Sequence, residues 1–150
     1  AGYKNIMIPL DFTKRIAKKV SMAIEIGKYF NSHIRLVSVL ESNRRIQKLL
    51  IQAEMKQVKA AIEKEGLECS AIIIPKNDNP VYKNIIDYAD NNSMDLMMIM
   101  TQEERDFRDF FMGSNASEII DKAEMPVITI TPGYEFKGNL YFDVFDILRR

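Results

Sequence analysis

The apolar positions of this chain change their period several times between the two ends. Residues 4–10, KNIMIPL, form a short apolar run suited to a buried strand. Ile16, Val20, Ala23, Ile24 and Gly27 then recur at helical spacing, with Thr13 placed to cap that helix. Residues 33–40, HIRLVSVL, return to strand alternation. A second helix is predicted from near Asn43, carrying Ile46, Leu49, Leu50, Ala53, Val58 and Ile62 until Gly66 stops it. Cys69 to Ile74 read as a third strand. Asn79 and Pro80 predict the next helix start: asparagine caps, and proline takes the first turn, where a missing N–H costs nothing. That helix continues through Ile85, Ile86 and Ala89. Asp95 to Met100, DLMMIM, is an apolar strand, a helix containing Ile119 and Ile120 follows, and Pro126 to Thr131 form the last strand.

Strand and helix therefore alternate from one end of residues 1–132 to the other. The pattern predicts an α/β fold, a five-stranded, mostly parallel sheet with helices on both faces. Runs as apolar as DLMMIM fit strands covered on both sides. Ligands on such sheets bind beyond the carboxyl ends of the strands, near the switch in strand order. The loops after Leu10, Leu40 and Met100 are the candidate positions. Residues 133–150, GYEFKGNLYFDVFDILRR, break the alternation. This aromatic-rich C-terminal tail is expected to pack on the domain, on a second subunit or on a neighbouring domain. Asp143 and Asp146 among its apolar residues argue against a membrane role.

Composition narrows the function. A chain of 150 residues, 47% apolar and with a formal net charge of zero, is an ordinary globular domain rather than a nucleic-acid binder, which needs a basic surface. The basic pairs Lys14-Arg15, Lys18-Lys19 and Arg44-Arg45 read as solvated helix faces. Cys69 is the only cysteine, so no internal disulfide forms; a cytoplasmic setting and a buried, inert thiol are expected. No apolar run approaches membrane-spanning length. His33, the only histidine, opens the second strand, opposite the expected ligand face, and supports neither a metal site nor a serine–histidine site. Glu103, Glu104, Asp106 and Asp109 do not follow a calcium-loop spacing. Lys76 reads as an exposed loop lysine. No metal and no catalytic residue are assigned.

Several segments in a fixed order carry a resemblance: Pro9-Leu-Asp-Phe-Thr13 after the first strand, Val37-Ser-Val39, Asp95 to Met100, the pair Gly113-Ser114, and Met125 to Ile130. Over residues 3–132 the chain resembles the universal stress protein family. The resemblance implies the adenine nucleotide alpha hydrolase-like fold and ATP or AMP as the ligand. It also implies a homodimer, or a tandem sister domain, joined through the last strand, Val127 to Thr131. Ala1 in place of methionine is compatible with processing or with a cut from a longer protein, and a cut would make this chain one half of such a tandem. Carried over residue by residue, the implied nucleotide-binding positions are Leu10, Asp11, Val39, Gly113, Ser114 and Asn115. Asp11 is equally suited to holding nearby N–H groups or capping the first helix, while Val39 reads first as a core strand residue.

Nucleotide-binding members carry G-x-x-G-x9-G-[ST] after the fourth strand. Gly113 and Ser114 fill the last pair, expected here as a helix N-terminus offering N–H groups to phosphate. Met100 and Glu103 stand where the two earlier glycines would be, adding bulk and a negative charge. Two unit charges about 4 Å apart, at an effective dielectric near 20, repel by roughly 4 kcal/mol. Lys76-Asn77-Asp78-Asn79 likewise replace a turn in which ATP-binding members tend to carry glycine. Phe107, Phe110 and Phe111 share one helical stripe, so the spacer reads as a packed turn. The expectation is a regulatory or structural stress-response domain with weak or absent nucleotide binding, acting through dimerisation. The alternative is a working ATP- or AMP-binding domain with slow hydrolysis.

Overall fold

The computed structural model describes residues 2–11, 16–100 and 110–130, with residues 110–114 described through their backbone alone. Nine elements follow one another: β1 (Asn5–Pro9), α1 (Ala17–Phe30), β2 (His33–Val39), α2 (Arg45–Lys64), β3 (Glu68–Ile74), α3 (Val81–Asn91), β4 (Leu96–Met100), α4 (Phe110–Lys122) and β5 (Val127–Ile130). The strands form one sheet in the order β3-β2-β1-β4-β5, and every pairing in it is parallel. The expected five-stranded α/β sandwich is therefore the observed one. Thr13, residues 101–109 and residues 133–150 lie outside the described residues.

Alternation along the strands divides the core into two layers. Ile6 and Ile8 of β1 join Val20 and Ile24 of α1, and Met55, Val58 and Ile62 of α2, on one face. Met7 between them joins Ile85 and Ala89 of α3, and Ala116 and Ile119 of α4, on the other. Met7, Met97 and Met98 are completely buried, which fits the role of unbranched, polarisable side chains as fillers of irregular gaps.

Two helix boundaries differ from expectation. Pro80, at ψ 153°, is the N-cap of α3 and lies outside its first turn. Asn79 does not cap it; the Asn79 N–H instead donates to Asn77 Oδ1 at 2.9 Å, a local turn. The α4 helix begins at Phe110, three residues before Gly113. Phe110, Phe111 and Met112 contain no helix breaker, so the helix propagates through the glycine towards the N-terminus.

A third departure concerns α2. Ile46, Leu49 and Leu50 were placed on its apolar face, yet they are 73%, 53% and 59% exposed. Helical spacing places them correctly on one side, but burial begins only further along, at Met55, where the helix lies against the sheet.

The two central strands are locked together at their amino ends by one carboxylate. Asp95 Oδ2 accepts from the Lys4 and Asn5 backbone N–H groups at 2.9 and 2.7 Å. The Asp95 N–H donates in turn to the Asn5 carbonyl at 2.9 Å. These bonds set the β1–β4 register, in which Ile6 faces Leu96 and Met7 faces Met97. Asp95→Ala removes two charge-assisted acceptor bonds and is expected to cost about 1.5–3 kcal/mol, read as a lower urea midpoint with an unchanged slope.

Candidate functional site

Strand order reverses between β1 and β4, and a crevice opens there at the carboxyl end of the sheet. It contains a cavity of about 200 Å³. The floor comes from the ends of the strands: Pro9, Leu10 and Asp11 after β1, Val37 to Val39 of β2, and Ile99 of β4. One wall is the start of α2, with Gln47, Leu50, Ile51 and Glu54; the other is built by Val81 and Ile85 of α3 and Asn115, Ala116 and Ile119 of α4. Fold topology thus delivers side chains from both helical layers to one place.

Of the residues singled out from the sequence, Leu10, Asp11, Val39 and Asn115 line this cavity together. Leu10 is buried, and its N–H donates to the Val37 carbonyl at 2.8 Å, which ties the end of β1 to β2. Asn115 has a second task. Its Oδ1 accepts from the Tyr82 N–H at 3.1 Å, so a residue of α4 satisfies a free donor in the first turn of α3. Gly113 and Ser114 lie inside α4, in the turn before Asn115, and do not form the helix start expected of them. Met100 ends β4, while Glu103 is outside the described residues.

The sequence reading missed the most unusual residue of the site. Lys19, assigned there to a solvated helix face, is only 2% exposed and lines the cavity. Its Nζ donates to the Pro9 carbonyl. Burial lowers its pKa from 10.5 to about 8, against the nearby charge of Asp11, which pulls it up. The signal was present: Lys19 stands three residues after Ile16 and four before Ala23, squarely on the buried stripe. Asp11, Glu41 and Glu54 line the same cavity. Burial raises the pKa of both glutamates, and for Glu41 the charge of Asp11 adds to the effect.

The remaining candidates stay apart from the cavity. His33, at the far end of β2, places Nε2 2.5 Å from Ser70 Oγ. Glu68 completes the row on paper, but its carboxylate is 3.7 Å from Nδ1 and its side chain is 86% exposed, too distant to orient the ring. Cys69 is buried, and its thiol is pushed up to about 12, mainly by desolvation, which leaves it inert. Lys76 is exposed. Among the described residues, no group of three His, Cys, Asp or Glu side chains is arranged to hold a metal ion. No described helix is long and apolar enough to cross a membrane.

A model of the universal stress protein family matches residues 2–131. The chain belongs to that family. No curated protein matches it significantly. Among solved structures, a universal stress protein from Archaeoglobus fulgidus is 23% identical with a TM-score of 0.71, covering 86% of this chain and 94% of that one. The universal stress protein from Archaeoglobus fulgidus in complex with dAMP is 22% identical with a TM-score of 0.69, covering 87% and 99%. A universal stress protein in complex with cAMP is 12% identical with a TM-score of 0.69, covering 87% and 98%. These likenesses establish the shared fold.

A buried ammonium costs the empty protein stability, and the sign with pH follows from its lowered pKa. Below about pH 8 both folded and unfolded chains hold the proton, and the full penalty, about 3 kcal/mol, applies. Between about pH 8 and pH 10.5 only the unfolded chain holds it, so the penalty is relieved as pH rises. Lys19→Met is expected to stabilise the protein at neutral pH by roughly 1–3 kcal/mol. The gap from the unsubstituted protein should shrink on approach to pH 10.5, as followed by urea unfolding across that range.

Proposed function

We propose that this domain is a regulatory member of its family, acting in stress response through dimerisation, with a cavity that holds adenine nucleotides weakly. The observation that carries the reading is the cavity itself. It stands at the switch point, where Leu10, Asp11 and Val39 could meet a base and ribose, but three carboxylates and one ammonium surround it among the described residues. That balance opposes a polyphosphate chain. Glu103, in place of a glycine, works in the same direction. A second reading, a working ATP- or AMP-binding domain with slow hydrolysis, draws on the neighbours solved with dAMP and cAMP.

Dimerisation is proposed along β5, which among the described residues pairs with β4 alone and ends the strand order. A strand at the end of a sheet is a surface on which a second copy or a sister domain can dock. Sedimentation at micromolar concentration is expected to give a dimer, and a monomer alone would overturn this part.

Calorimetric titration separates the two ligand readings. ATP and AMP are expected to bind more weakly than micromolar, whereas micromolar affinity would establish the second reading. Glu103→Gly is expected to tighten ATP binding about tenfold, and an unchanged affinity would remove the charge of Glu103 as the obstacle.

A further inference from the structure

Lys19 is one of the few charged or polar side chains buried in the described residues, and it sits where a ligand would sit. An ammonium carries three N–H donors, and Lys19 spends one on the Pro9 carbonyl. The rest of its donor capacity faces a cavity whose other charged groups can only accept: Asp11 at the floor, Glu41 at the rim and Glu54 on the α2 wall. Among the described residues the lining therefore carries a net charge of two negative. Val39, Ile51, Val81, Ile85, Ile99 and Ile119 complete it with apolar surface.

A ligand that satisfies this set must offer an apolar body, at least one acceptor for Lys19, and several O–H or N–H donors for the carboxylates. It must also bring little negative charge. A cationic ligand would meet Lys19 at the floor, and a polyphosphate would meet the three carboxylates. We infer that the cavity is selective for an uncharged purine nucleoside over its phosphates, with Lys19 donating to an acceptor of the ligand and Asp11, Glu41 and Glu54 taking its hydroxyl and amine donors. The inference rests on the reading of the cavity as a nucleotide-type site and adds to it the form of the ligand. A purine ring supplies acceptors and a flat apolar body, while a ribose supplies vicinal hydroxyls. Lys19 matters in both directions: its burial weakens the empty domain, and a ligand acceptor supplies a partner for donors the protein leaves over.

The test is calorimetric titration of the full chain with adenosine, AMP and ATP, at about 0.05 M and about 0.5 M salt. Adenosine is expected to bind about tenfold or more tightly than ATP, with AMP between them. Salt should narrow the gap by screening the carboxylates, strengthening ATP and leaving adenosine unchanged. The double substitution Glu41→Gln and Glu54→Gln should do the same at low salt. Lys19→Met should weaken adenosine about tenfold while raising the unfolding midpoint, a combination that misfolding cannot produce. ATP binding as tightly as adenosine, or weakened by salt, would overturn the selectivity and leave the site reading standing. Silence from all three ligands at millimolar concentration would overturn the site reading itself.

Discussion

The structure depends on one constraint: β1 and β4 are covered on both faces. Ile6, Met7, Ile8, Leu96, Met97, Met98 and Ile99 are all buried, so neither strand has room for a charge along its length. Polar chemistry is driven to the strand ends. At the amino end Asp95 gathers the free N–H groups of Lys4 and Asn5, and at the carboxyl end Asp11 follows β1 directly. The cavity lies at that carboxyl end, where the strand order reverses between β1 and β4.

Within that cavity a buried lysine and three carboxylates produce opposing tendencies. Desolvation disfavours every charged form, lowering the pKa of Lys19 and raising those of Glu41 and Glu54, while Asp11 attracts the first and repels Glu41. An apolar pocket of the same shape would be more stable and would discriminate less between ligands. The stability cost of the charges and their capacity to recognise a ligand come from the same desolvation.

The architecture was legible because strands buried on both faces leave an unmistakable mark: NIMIP and LMMIM need no partner to be read. The loops after Leu10 and Leu40 were legible for the same reason, since the place of strand ends in such a sheet is known, whereas Leu10, Asp11 and Val39 themselves came from the family resemblance, and the structure places them on the cavity lining. What escaped depended on contacts between elements. Lys19 was judged by residue type, although its spacing put it on the buried stripe of α1. The cap of α3 was sought in the adjoining Asn79, but the donor is met by Asn115, 33 residues away. Ile46, Leu49 and Leu50 show that periodicity identifies a helix face without saying how far the sheet extends beneath it.

Asn115 also joins parts of the molecule that the chain order keeps separate. Its amide holds the first turn of α3, its helix forms part of the cavity wall, and only residues 123–126 separate that helix from β5. A ligand that displaces Val81 or Ile85 therefore acts on α4 through that hydrogen bond, through the Lys122–Tyr82 contact and through the shared packing of Ile85 and Ala89 with Ala116 and Ile119, and α4 is linked by a short covalent tether to β5. The cavity and the sheet edge are thus mechanically in series, joined through the packed seam between α3 and α4.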